Sequence, residues 1–306
     1  MEISKSLRKK STRESVAQIV FTVCASFTIL AVLSIMIYMI LSGTPALFKV
    51  GIKELLFGTV WKPTAAEPQY GIFYVILTSV VGTFIAILIG VPIGILTAVF
   101  LAEVAPKSLS AVVKPAIELL AGIPSVIYGL LGIMVLNPIM YELELALFKD
   151  SKTHQFTGGA NLISAVIVLA VMILPTVINM SETAIRAVNP NLKSSSLALG
   201  ATHIQTIFHV ILPAAKSGVL SAIMLGVGRA IGEAMAITLV SGSSVNLPLP
   251  FNSVRFLTTA LVSEMGYASD LHREVLFTIG LVLFVFIMII NVVMEKLIEN
   301  GGREDA

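Results

Sequence analysis

The sequence predicts an all-α, polytopic membrane protein with six transmembrane helices. Three observations carry this. The chain of 306 residues is 56% hydrophobic and 12% charged, against about 25% charged in soluble domains. Its apolar residues gather into runs of about 20 or more, the length a helix rising about 1.5 Å per residue needs to cross a bilayer. Lys and Arg collect at the ends of those runs rather than on one broad basic face. With a net charge of only +2, this argues against nucleic acid as a partner.

Taken in order, residues 1–16 form a charged N-terminal tail, and Ala17–Leu41 is the first span. That run is too long for a signal-peptide core and ends in no clear small-residue cleavage site, so it reads as retained. Cys24, the single cysteine, lies inside it and reads as a small buried hydrophobe. Residues 42–70 read as an outer loop in which Trp61 and Tyr70 are candidates for the interfacial aromatic belt. Residues 71–295 form one core domain with spans at Gly71–Ala102, Lys114–Met140, Ala160–Glu182, Lys216–Ser241 and Glu274–Met294. Pro92, Pro124 and Pro138 fall inside these runs and are expected to kink the helices, because proline removes a backbone hydrogen bond. Membranes tolerate such breaks where neighbouring protein covers the freed carbonyls. Residues 296–306 form a short C-terminal tail.

Six spans place both termini on one side. The tails, the loops 103–113 and 183–215 and the adjoining span ends at Lys114 and Lys216 hold twelve Lys and Arg, against seven for the loops bearing Lys49, Lys53, Lys62, Lys149, Lys152, Arg255 and Arg273. The positive-inside tendency makes the richer face cytoplasmic. Lys5, Arg8, Lys9, Lys10 and Arg13, just before the first span, weigh most in that assignment. Glu118 and Glu182, at the inner ends of spans three and four, are expected to face lipid headgroups.

The connection 183–215 differs from the other loops. Asn189-Pro190 is a helix-start signal, and Leu192, Leu197, Leu199, Ile204, Ile207, Phe208 and Ile211 follow at helical intervals, with Gly200-Ala201-Thr202 between. Two short amphipathic helices with a tight turn result. Their apolar stripe suits either the membrane interface or the groove of a soluble partner.

Arg229 lies in the middle of the fifth apolar run, with Glu233 four residues on. A charge at bilayer depth is costly and usually marks a substrate path. On a continuous helix the two would share one face, paired or pointing together into a pathway. Arginine suits oxyanions because its rigid fork donates charge-assisted hydrogen bonds. Gly226, Gly228 and Gly232 would admit a close neighbour or a solute. The competing account is an ion pair that locks two helices together.

Gly200 followed, after nine residues, by Val210-Ile211-Leu212-Pro213 resembles the cytoplasmic loop of bacterial ABC-importer permeases. The stretch from Gly226 to Ala236 more closely resembles the PstC-type permease family of high-affinity phosphate importers, as do the extra first helix, the outer loop after it and Ala121-Gly122-Ile123-Pro124-Ser125. The resemblance covers nearly the whole chain. It implies the type I ABC importer permease fold in a bacterial inner membrane. It also implies Arg229, Glu233, Gly228 and Gly232 along the path of inorganic phosphate. Coupling to an ATPase would fall to Ser194, Ser195, Ser196, Leu199, Gly200, Ala201, Thr202 and Pro213. Implied partners are a PstA-like second permease, two copies of an ATP-binding subunit and a periplasmic phosphate-binding protein. The wider family often has Glu-Ala-Ala where this chain has Ser194-Ser195-Ser196, so an acidic anchor toward the ATPase is missing.

The sequence has no Gly-x-x-x-x-Gly-Lys-Ser/Thr loop, so ATP and Mg2+ would be used by partner subunits, and no catalytic residue is assigned here. His203 and His209 lack the neighbouring ligands of a metal site, and no metal or other cofactor is expected. Ser125, Tyr128 and Asn179 offer hydrogen bonds within the bundle; Ser243, Ser244, Asn246 and Asn252 lie in an outer loop, as solvated polarity or as a mouth for the binding protein. One arginine does not separate phosphate from sulfate or molybdate by charge. A stand-alone channel or ion-coupled carrier is the alternative of a different class.

Overall fold

A computed structural model describes residues 2–303, with side chains described from residue 14 onward except at 15, 297 and 299–303. The basic side chains of the N-terminal tail and Arg303 therefore lie outside the described residues. The helices are α1 (Glu2–Lys49), α2 (Ile52–Phe57), α3 (Phe73–Val99), α4 (Lys107–Ala121), α5 (Ser125–Leu131), α6 (Asn137–Phe148), α7 (Leu162–Arg186), α8 (Pro190–Ala198), α9 (His203–Thr206), α10 (Leu212–Ala214), α11 (Lys216–Gly232), α12 (Met235–Val240), α13 (Leu257–Glu264) and α14 (Asp270–Arg303). Strands β1 (Trp61–Lys62) and β2 (Gln69–Tyr70) form a small antiparallel hairpin.

Among the described residues, five helical runs are long and apolar enough to cross a membrane, and six if the bent pair His203–Ala214 and Lys216–Gly232 is one span. Several expected boundaries move. α1 continues through Pro45 to Lys49, so the outer loop is shorter than predicted and is partly helical. The third span is Ser125–Phe148 rather than Lys114–Met140. Lys114 belongs instead to α4, which ends before Gly122-Ile123-Pro124. Pro124 thus stands just before α5, where a helix tolerates proline, whereas Pro138 lies inside the continuous run Ser125–Phe148, directly after the wider π-type turn Gly132–Leu136. Pro92 lies within the unbroken α3.

α3 and α7 form the centre because glycine lets them approach. A Cβ on Gly90 would lie 2.6 Å from Ile173, and one on Gly94 would lie 2.8 Å from Val177. α11 packs on the same helix, with Gly226 against Val177 and Gly218 against Ala184. α7 and α11 are therefore antiparallel. Around them, one apolar cluster fills the middle and one each end. The end with Lys114, Arg186 and Lys193 is called here the basic end, and the opposite one the hairpin end. α1 packs on α14, where Thr278 donates to the Gly43 carbonyl at 2.7 Å. The apolar stretch of α1 is otherwise uncovered, as a lipid-facing helix must be. Cys24 is exposed on it, not buried as predicted, because its helix lies outside the bundle.

Gly159 has φ +81°, and its missing Cβ would collide with the Asn137 carbonyl. Gly159→Ala should strain the chain by about 1–3 kcal/mol and lower the melting temperature in detergent. Gly228→Ala, which meets open space within the chain, should leave that temperature unchanged or slightly raised.

Candidate functional site

Arg229 occupies the last turn of α11, where the helix dipole favours a cation. The helix stops at Gly232, and Glu233 is extended with φ −72° and ψ 128°. This corrects the expectation of one helix through Ser241. Glu233 is not placed one turn along a shared face from Arg229. Its Oε1 instead accepts from the Ala236 N–H at 3.0 Å, at the start of α12, and its carbonyl accepts from Thr258 Oγ1 at 2.7 Å. The break is partly held by these two contacts, while Gly232 and Met235 on either side of it remain exposed.

Arg229 is half-buried and donates from Nη1 to Thr176 Oγ1 at 3.3 Å. Among the described residues no carboxylate forms an ion pair with it. Tyr128 lies within electrostatic reach, but its hydroxyl is committed to the Leu120 carbonyl at 2.8 Å. Gly228 and Gly232 meet no atom of this chain where a Cβ would stand, so the surface beside the arginine is open. Gly226 is instead a packing residue against Val177. The arrangement offers an uncompensated guanidinium next to open space. Sequence reading missed Thr176; the hint was a hydroxyl directly after Pro175 in the apolar middle of α7.

The carboxylates nearer the ends are neutralised. Glu182 is fully buried, contrary to the expected headgroup exposure, because Arg186 at 2.7 Å and Lys114 at 3.1 Å reach it from α7 and α4. Glu264 accepts from His272 at 2.7 Å, from Trp61 Nε1 at 3.1 Å and from Arg255. Trp61 and Tyr70 are therefore parts of an internal cluster rather than a free aromatic belt, with ring centres 6.0 Å apart. Glu144, also fully buried, binds His154 at 2.7 Å and the Thr157 N–H at 3.0 Å.

At the basic end the segment beginning at residue 183 holds the two expected helical stretches about a turn, but residues 183–186 still belong to α7, and α8 buries no residue and has no apolar stripe, contrary to the amphipathic reading. Asn189 caps α8, Gly200 turns with φ +90°, and Thr202 with Gln205 makes a reciprocal cap on α9. Ser194, Ser195, Thr202 and Pro213 are exposed, and Ser196 shares a hydrogen bond with Thr206 at 2.9 Å. Leu199 is 90% exposed and Ile204 69%. Lys193 pairs with Glu103, joining α8 to the end of α3. At the hairpin end Ser244, Asn246 and Asn252 line a cavity of about 690 Å³. Asn246 and Asn252 also brace their own loop through the carbonyls of Ser253 and Leu247.

Residues 90–300 match the family described as binding-protein-dependent transport system inner membrane component. The chain is 38% identical over 288 residues to the probable ABC transporter permease protein YqgH of Bacillus subtilis (strain 168), covering 91% of this chain and 90% of that protein. It is 32% identical over 298 residues to the phosphate transport system permease protein PstC of Xylella fastidiosa (strain Temecula1), covering 94% and 91%. A solved bacterial alginate ABC transporter, in complex with an alginate-pentasaccharide-bound periplasmic protein, matches with a TM-score of 0.54 at 16% identity, over 86% of this chain and 92% of that one. That likeness is one of fold: the importer-type ABC permease.

The local role of Glu233 separates two substitutions. Glu233→Ala removes the acceptor for the Ala236 N–H and should cost about 1 kcal/mol, as loss of a helix cap does. Glu233→Gln keeps an acceptor oxygen and should retain most of that stability. Thermal unfolding of the purified variants checks both.

Proposed function

The chain belongs to the binding-protein-dependent transport system inner membrane components, and on that premise we propose that it forms half of the membrane pathway of an ATP-driven importer of inorganic phosphate. The observation that carries this reading is Arg229, half-buried in an apolar helix with open space beside it and, among the described residues, no carboxylate paired to it. A guanidinium so placed has charge and donors to spend on a passing oxyanion. Relatives named as phosphate permeases, such as that of Xylella fastidiosa, align along almost the whole chain, which supports phosphate as the anion.

In this reading Gly228 and Gly232 widen the path beside Arg229. Glu233 shapes the path by holding the start of α12. Phosphate arrives from a periplasmic phosphate-binding protein seated at the hairpin end, where the cavity beside Ser244, Asn246 and Asn252 opens. A PstA-like permease supplies the other half of the pathway. Two copies of an ATP-binding subunit use ATP and Mg2+ and dock on the segment 183–215, whose Leu199 and Ile204 are uncovered in the single chain. Both termini are then cytoplasmic.

The test is phosphate uptake by assembled complexes in vesicles. Arg229→Gln should lower uptake about 10- to 100-fold, the worth of a charge-assisted hydrogen bond of about 1.5–3 kcal/mol, while assembly stays normal. Arg229→Lys, which keeps the charge but loses the fork, should fall between. Unchanged uptake by Arg229→Gln at normal assembly would remove the arginine from the path.

A further inference from the structure

We infer that the oxyanion leaves Arg229 along a polar track on α7 made by Thr176, Asn179 and Thr183, with the Asn179 carboxamide as the hydrogen-bonding step between the arginine and the basic end. The inference rests on the phosphate reading above and assigns residues to the half of the path beyond the arginine.

Positions 176, 179 and 183 are spaced i, i+3 and i+7, which puts them on one face of a helix. That face is not sealed: Thr176 and Asn179 are half-buried and Thr183 is exposed. Thr176 begins the stripe by accepting from Arg229 at 3.3 Å. Thr183 is anchored by donating to the Asn179 carbonyl at 2.8 Å. Between them the Asn179 side chain makes no hydrogen bond among the described residues, and its Oδ1 is buried without a partner.

An unpaired carboxamide is costly in an apolar helix, since the bilayer core supplies no water to satisfy it. Thr78, Ser181 and Ser241 also carry unpartnered hydroxyls, but those residues are fully enclosed by packing. Asn179 alone of these four has an open side. The carboxamide can turn its N–H donors toward an oxyanion on that open side.

Direction follows from the antiparallel packing of α7 and α11. Gly226 of α11 faces Val177, while Gly218 faces Ala184 nearer the basic end. Arg229 therefore sits on the hairpin side of Asn179, and Thr183 lies beyond it. The track ends near Arg186 and Lys114, around Glu182, so the local field draws an anion along it.

The experiment uses the assembled complex in vesicles with Cys24→Ala, which removes the single cysteine. Asn179→Cys and Thr183→Cys are exposed to a negatively charged, sulfonate-bearing methanethiosulfonate during ATP turnover. Phe27→Cys, on the uncovered face of α1, is the lipid-facing control. Labelling at 179 and 183 should exceed that at 27 by about tenfold or more and should slow when inorganic phosphate is added. In parallel, Asn179→Leu should lower phosphate moved per ATP about tenfold, the scale of one hydrogen bond. ATP hydrolysis stimulated by the loaded binding protein, and the KM for phosphate, should stay as in the parent, and Asn179→Gln should restore part of the loss. Absence of labelling at both positions, or full uptake by Asn179→Leu, overturns the track. If Asn179→Leu fails to assemble, the labelling decides. Failure of the track leaves wild-type phosphate uptake and its loss in Arg229→Gln intact, whereas failure of the phosphate reading removes uptake from the wild-type complex itself.

Discussion

A positive charge in the apolar layer needs counter-charge, water or ligand, and the course of the chain around Arg229 removes the first of these. α11 ends three residues after the arginine, and Glu233 turns away to hold the N–H of Ala236. Had the helix continued, the carboxylate would have come round beside the guanidinium and quenched it. The chain break is therefore what keeps the arginine available. Thr258 Oγ1 donates to the Glu233 carbonyl and the Glu233 N–H to the Ala230 carbonyl, so two backbone groups of the break are satisfied within the chain.

The treatment of charge elsewhere is the reverse. Glu182 at the basic end is gripped by two cations, and Glu264 at the hairpin end by an arginine, a histidine and an indole N–H. Glu144 has a histidine and a backbone N–H. Removing one partner of such a buried group is strongly destabilising because it strands the other. The ends of the bundle are thus internally settled, and the unsettled charge is in the middle.

The spans were legible because about 20 consecutive apolar residues have few other uses. The segment 183–215 was legible for a similar reason: Asn189-Pro190, Gly200 and the Thr202–Gln205 pair are local signals that act over a few residues. What stayed hidden depends on distant contacts. Nothing near Gly232-Glu233-Ala234 announces a helix end; Thr258, 25 residues on, and the start of α12 enforce it. Trp61 looked like an interfacial anchor because its partner Glu264 lies 203 residues away. Glu182 looked exposed because Lys114 was assigned to a span rather than to the separate helix α4. Arg229 itself was evident as a lone charge, while Thr176 was not, since a sequence does not say which hydroxyl an arginine will meet.

The Lys193–Glu103 pair joins α8, on the connecting segment, to the helical turn Phe100–Val104 that continues directly from α3. α3 in turn lies against α7 with glycine-close contact at Gly90 and Gly94. A push on α8 is therefore not absorbed by a floppy loop. It is handed as thrust to a rod, and from that rod to the helix whose Thr176 steadies Arg229. The exposed face of α8 and the guanidinium of Arg229 therefore belong to one lever.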